Sequence, residues 1–208
     1  MQLSIGGSAG RRETRCDVQS LDRRTFMIIS EHRLLGVHQR DSPHWNARQA
    51  DASIDLIVVH NISLPPGEFG TGVPAALFLG ELDAATRQRF PDLAQSRVSA
   101  HVLIERTGMV TQFVSFDREA WHAGKSAWRG RAACNGFSVG IELEGTDTLP
   151  FEDCQYRVLE DIVRALRRCY PTIGADAVVG HEHIAPGRKT DPGPAFDWQR
   201  LRSALGRQ

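Results

Sequence analysis

Three short apolar runs each carry a histidine, and no other feature of the sequence restricts the fold as strongly. "LIVVH" ends on His60, "SAHVLI" contains His101, and "AVVGH" ends on His181. Runs of this kind, rich in Val and Ile and bounded by polar or turn residues, read as buried strands. Histidine is costly there, because burial disfavours its charged form and leaves two ring nitrogens to satisfy. One such histidine is accounted for by a ring bonded to main-chain carbonyls. Three of them, with Asp191 following the last, point instead to a site shared at strand ends, where side chains converge and loops stay open to solvent.

The segments between these runs set the fold class. "RVSAHVLIERTGMVTQFVS" predicts two strands with a turn at Thr107–Gly108, and "FSVGIELEG" (residues 137–145) predicts another. Residues 74–90 open with Pro74 at a first helical position and fit one or two short helices. Over 151–169, Val158, Ile162, Val163 and Leu166 recur at helical spacing, so an amphipathic helix is expected to stop before Pro171. "FDWQRLRSALG" predicts a last short helix ending at Gly206. Strands that partly alternate with helices and include a hairpin imply an α/β fold, a central mixed sheet flanked by helices.

At 208 residues the chain can bury a core of its own. Residues 1–26 are rich in Arg, Ser, Gly and Asp without periodicity and are expected to be a loose extension or an upstream start, leaving 27–208 as a single domain. Lys+Arg and Asp+Glu are both 25, so no broad field favours nucleic acid or an anionic membrane, and recognition must be local. The apolar runs are too short to cross a bilayer and no secretory h-region opens the chain, which reads as cytoplasmic. Cys16, Cys134, Cys154 and Cys169 show no CxxC spacing and are taken as reduced, mostly packing thiols. No obligatory protein partner is evident.

The segment "VVGHEHIAPGRKTDPGPAFDW" (residues 178–198) crowds His181, His183, Lys189 and Asp191 among glycines and prolines that argue against a helix. Asp191 before Pro192 is a natural turn-former, but it also completes a set of two imidazoles and a carboxylate with His60 and His181. Three protein ligands with a fourth position open are the pattern of a catalytic zinc. Spacing alone leaves His183 in play, since on an extended chain it shares a face with His181. In "IELEG", Glu142 and Glu144 share one face of a strand, either as a solvated edge or as a proton-transfer group placed deliberately. Lys189, two residues before Asp191, is close enough in sequence to reach an oxygen bound to the same metal, although on its own it reads as a surface lysine.

The stretches "VVHNISLPPGEFG", "RVSAH", "AWHAG", "IELEGTD" and "IAPGRKTDPGPAFDW" resemble the cytosolic N-acetylmuramoyl-L-alanine amidases of bacterial cell-wall recycling, within the zinc amidase and peptidoglycan-recognition superfamily. The resemblance runs from about Ser42 to Trp198. It implies a mixed sheet with helices packed on it and one zinc ion per chain, held by His60, His181 and Asp191, with His181 preferred to His183. It implies further that Glu142 is the catalytic acid/base and that Lys189 stabilises the oxyanion. Trp121 would stack on the sugar, Arg97 would pair with a stem-peptide carboxylate, and Asn61 would contact the peptide backbone. The substrate so implied is an anhydro-muropeptide, cleaved between the lactyl group of muramic acid and L-alanine. A recognition module that holds such a fragment without cutting it is the alternative, and the loss of a ligand or of the proton-transfer group would mark it. Each of these has a candidate here, which favours the enzyme.

Overall fold

The sheet around which the histidines gather puts its two longest strands side by side and away from its edges. In the computed structural model, which describes residues 27–206, the chain opens with a hairpin of β1 (Ile29–Ser30) and β2 (Arg33–Leu34). It continues through β3 (His38–Gln39), β4 (Trp45–Ala47) and β5 (Leu56–Ile62). The helices α1 (Val73–Leu79), α2 (Ala84–Arg89) and α3 (Pro91–Ala94) precede β6 (Val102–Ile104), β7 (Val110–Gln112), β8 (Arg118–Ala120), β9 (Ala127–Trp128) and β10 (Arg131–Ala132). After a 3-10 turn at Cys134–Phe137 come β11 (Ser138–Glu144), α4 (Asp153–Cys169), β12 (Val178–Gly180), α5 (His181–Ile184) and α6 (Trp198–Leu205). The expected extension over residues 1–26, with Cys16, lies outside the described residues.

The six-stranded sheet has the order β12-β5-β11-β6-β7-β3. From β12 to β6 the neighbours are parallel, β7 returns antiparallel to β6, and β3 lies parallel to β7. The expected mixed sheet flanked by helices is therefore the observed one. Parallel strands covered on both faces read as continuous apolar runs, which explains "LIVV" in β5, buried throughout. β11 differs. Its odd positions, Val139, Ile141 and Leu143, join the main core with α4, whereas its even positions are Ser138, Gly140, Glu142 and Glu144. With a period of two, those four share the opposite face, and that face holds the site.

Helix α4 closes the apolar side. Leu159, Ile162, Val163 and Leu166 form its buried stripe with Tyr156, while Val158 is only partly buried. Glu152 and Gln155 form a reciprocal capping box at its start, and the helix ends at Cys169, before Tyr170 and Pro171. On the other face α1 contributes Leu77, Phe78 and Leu79 to a second cluster with Leu103, Phe113 and Val114. Among the described cysteines, all free, Cys134 is buried, Cys154 donates to the Arg106 carbonyl and Cys169 is exposed, so the packing expectation fails for Cys169. No helix among the described residues is long and apolar enough to cross a membrane.

Two expectations need correction. The strand carrying His60 does not stop there but runs on to Ile62, because Glu142, Leu143 and Glu144 of β11 keep pairing with His60, Asn61 and Ile62. The glycines and prolines of residues 178–198 do not exclude a helix either. One turn, α5, fits between Gly180 and Ala185, the residue before Pro186, and it needs no propensity of its own because His181 and Ile184 are buried.

Candidate metal centre and active site

β5 and β12 are adjacent, so their carboxy-terminal ends deliver His60 and His181 side by side. The two Nδ1 atoms lie 3.0 Å apart, and Asp191 Oδ2 sits 2.9 Å from that of His60 and 3.1 Å from that of His181. Both rings are buried and Asp191 is largely so. Among the described residues these three are a group able to hold a metal ion. The donor set fits one. Ligand bonds of about 2.0 Å in tetrahedral geometry place donor atoms about 3.3 Å apart, close to the separations seen. His181 Nε2 faces the Ala123 carbonyl at 3.1 Å, an atom that can only accept. The Arg188 guanidinium Nη2 lies 3.3 Å from the same Nε2, so that edge of the ring faces one acceptor and one donor.

The loop bearing Asp191 is held from both sides. Glu182 N donates to the Asp191 carbonyl, and Asn61, next to His60, donates through Nδ2 to Asp147 Oδ1 (2.7 Å) and to the Pro192 carbonyl (3.1 Å). Those bonds commit both amide protons of Asn61 to the scaffold and leave Oδ1 for any substrate contact. Gly193 has φ +82°, and a Cβ there would lie 2.3 Å from Asp147 Cα, so only glycine lets the two loops meet. His183 takes no part in the cluster. Because α5 turns it off the His181 face, its Nδ1 accepts from Gly180 N at 2.9 Å and its ring meets Trp198 edge-on.

Glu142 pairs in register with His60 on the neighbouring strand and is only 9 % exposed. Its Oε2 is buried without a hydrogen-bond partner among the described residues. Burial, reinforced by the Asp191 carboxylate and partly offset by Lys189, raises its carboxyl well above the ordinary range. Glu144, two residues on and 3 % exposed, is fully occupied: it accepts from Gly70 N (2.5 Å) and Arg106 N (3.3 Å) and fixes those loops. The pair is thus no solvated edge, since β11 lies in the middle of the sheet, and only Glu142 is left available for chemistry. For Asp191, burial pushes the carboxyl up, but the His181 and His60 contacts more than offset this and keep it ionised. Burial holds His60 neutral, its pKa lowered to about 4.

Lys189 is exposed on the same loop, near enough to act on Glu142 and His60 electrostatically. Trp121 is half-buried and stacks on His44 at 5.7 Å, with its backbone N–H fixed by Ser99 Oγ at 2.9 Å. Arg97 is exposed and lines a cavity of about 390 Å³ with His44, Leu77 and Arg87. His101 stands apart from the cluster: Nδ1 accepts from Gly140 N and Nε2 faces the Arg118 carbonyl, both at 3.0 Å. It is the main-chain-bonded histidine that burial demands. The sequence reading passed over His122, inside the quoted "AWHAG", whose Nδ1 lies 2.9 Å from His60 Nε2.

Two imidazoles and a carboxylate converging at parallel strand ends, beside a buried and unpartnered second carboxylate, are the features of a hydrolase built around a metal-competent triad. Residues 49–194 match the N-acetylmuramoyl-L-alanine amidase family (Amidase_2), and the chain belongs to it. It is 52% identical over 182 residues to the 1,6-anhydro-N-acetylmuramyl-L-alanine amidase AmpD of Escherichia coli K12, covering 88% of this chain and 99% of that protein. The AmpD of Haemophilus influenzae is 46% identical over the same shares of both chains. Among solved structures, a selenomethionine AmpD derivative superposes with a TM-score of 0.83 at 51% identity, over 86% of this chain and 99% of that one. The amidase AmiD from E. coli, in complex with the substrate anhydro-N-acetylmuramic acid-L-Ala-D-gamma-Glu-L-Lys, superposes with a TM-score of 0.54 at 29% identity, over 86% and 65%.

Proposed function

We propose that His60, His181 and Asp191 hold one zinc ion per chain. Around it the chain hydrolyses the amide between the lactyl group of (1,6-anhydro-)N-acetylmuramic acid and L-alanine of the stem peptide, in the cytoplasm, on fragments returned from the cell wall. The observation that carries this reading is the convergence of the two Nδ1 atoms and Asp191 Oδ2 within 3.1 Å, beside the unpartnered Oε2 of Glu142. Two neutral imidazoles and a carboxylate suit zinc, and three protein ligands leave a position open. When bound, zinc supplies a Lewis acid for the carbonyl and a water nucleophilic at neutral pH.

The chain's own groups do the rest. Glu142 takes the proton released as water attacks the lactyl carbonyl and returns it to the departing amine of L-alanine, and its raised pKa suits both duties. Lys189 places a cation toward the negative charge that develops on the carbonyl oxygen. Trp121, already stacked on His44, offers a flat apolar surface for the sugar. Asn61 Oδ1 is the acceptor left for a peptide N–H. The guanidinium of Arg97 at the cavity wall suits a stem-peptide carboxylate. Arg97→Ala is expected to raise KM for peptide-bearing substrates about tenfold, the effect of losing one charge-assisted contact, and to leave kcat nearly unchanged. Steady-state kinetics check this, and an unaltered KM places carboxylate recognition elsewhere.

The function is tested by incubating zinc-loaded protein with anhydro-muropeptide and, in parallel, with intact wall, and following released peptide by mass spectrometry. Peptide release from the soluble fragment that stops with a chelator and returns with zinc is the expected result. Binding of the fragment without cleavage would make the chain a recognition module.

A further inference from the structure

His60 binds through Nδ1 in the reading above, so its lone pair must be on Nδ1 and its proton on Nε2. A buried chain of groups favours this, against the Asp191 carboxylate 2.9 Å from Nδ1. Ser138 Oγ lies 2.6 Å from the Cys134 carbonyl, which can only accept, so the single hydroxyl proton points there. Ser138 Oγ must then accept from its other neighbour, His122 Nε2 at 3.1 Å. With its proton on Nε2, neutral His122 presents the lone pair of Nδ1, and the atom facing it at 2.9 Å is His60 Nε2. Each assignment follows from the one before it. The chain starts at a main-chain carbonyl and ends with the His60 Nδ1 lone pair turned toward His181 and Asp191.

The fold makes room for this arrangement. His122 lies against Gly140 so closely that a Cβ there would fall 2.3 Å from His122 Cγ. That contact gives the reason for a glycine in the middle of the longest buried strand. The loop is set from the other side by Asn135, whose Oδ1 accepts from His122 N (3.3 Å) and Ala123 N (2.8 Å). Ser138 and Gly140 share the face of β11 that also carries Glu142, so one strand supports the outer partner of a ligand and presents the proton-transfer group.

We propose that His122 is a positioning residue: fixed by Ser138 and Gly140, it favours the Nε2–H tautomer of His60 over the Nδ1–H form that Asp191, 2.9 Å from Nδ1, would accept from, and so biases the site toward its ligating form before any metal arrives. The proposal rests on His60 being a ligand, and its test is made on zinc-free protein so that the two can fail separately. Long-range ¹H–¹⁵N correlation spectra of the imidazoles read the tautomer directly. Wild type is expected to show His60 chiefly as Nε2–H, over the Nδ1–H form that would bond to Asp191. His122→Phe removes the acceptor, so the Nδ1–H form, bonded to Asp191, becomes the major one, and zinc affinity by chelator competition falls about 10–100-fold. His122→Asn, whose Oδ1 can take the place of Nδ1, should restore both. Should His122→Phe not fold, Ser138→Ala removes one oxygen and should by itself give mixed His60 tautomers.

An unchanged Nε2–H signal in folded His122→Phe or in Ser138→Ala overturns the proposal, as does equal zinc affinity in His122→Phe and His122→Asn. A wild type with the expected tautomer and no zinc affinity would sink the metal reading instead.

Discussion

Glu142→Gln is expected to lower kcat by about 10²–10⁴-fold, the contribution of a positioned acid/base, while zinc remains at one per chain by elemental analysis. The substitution keeps shape and removes only the capacity to carry a proton. Nothing among the described residues hydrogen-bonds Glu142 Oε2, so no scaffold contact at that oxygen is lost. A second consequence separates this residue from an ordinary surface glutamate. Burial and the Asp191 charge raise its pKa well above 4.5, so the fold favours its neutral form. The stability this gives is present below pH 4.5 and is lost as pH rises through the folded value. At neutral pH, where an exposed glutamate would be ionised, burying this carboxyl therefore costs the zinc-free protein stability whichever form it takes. Zinc-free Glu142→Gln should melt above zinc-free wild type at pH 7, with the gap closing as pH falls toward 4.5. Unchanged turnover would remove Glu142 from the chemistry, and activity lost together with zinc would make it a metal residue. Equal melting temperatures at pH 7 would mean that the carboxylate is not desolvated.

How far the sequence foretells this site depends on the kind of information each residue carries. The strands at Leu56–Ile62 and Val178–Gly180 and the helix Asp153–Cys169 are legible because burial imposes a periodicity on local sequence. The parity of "SVGIELE" was equally open to view, and it already places Ser138 and Gly140 on the face of Glu142. What parity cannot say is that a loop returns to lay His122 on Gly140, because that contact spans a chain excursion with no periodic signal. The turn at His181–Ile184 escaped for a related reason: a single turn is set by what it buries, and Gly180 and Pro186 mark only its limits. The choice between His181 and His183 therefore could not come from spacing, which assumed an extended chain there, and only the motif resemblance favoured the first. Glu142 and Glu144 look identical in sequence. What separates them is the pair of backbone amides, from Gly70 and Arg106, that reach Glu144 alone.

Asp191→Ala should strip the centre of metal, with zinc affinity falling further than the roughly 10–100-fold that follows loss of an outer partner, and with activity falling in step with zinc content. Asp191 is the only anion of the three converging groups, and the two imidazoles left behind are neutral donors that offer lone pairs but no charge to compensate that of the ion. Asp191→Asn keeps an oxygen donor but not the charge, so it should fall between alanine and wild type, and the order of the three variants measures how much of the affinity is electrostatic. The same carboxylate also acts on its neighbour, since its charge helps to raise the Glu142 pKa. In zinc-free Asp191→Ala that repulsion is gone, so the melting-temperature gain from adding Glu142→Gln should be smaller than in the wild-type background. Acid should affect the variant differently as well. Wild-type Asp191 is held below 3.8, so its stabilising contribution is present above that value and is lost as pH falls through the folded pKa; Asp191→Ala lacks this loss. Full zinc occupancy in Asp191→Ala after dialysis would remove the residue from the ligand set. A melting gain from Glu142→Gln of equal size in both backgrounds would mean that the two carboxylates do not share one field.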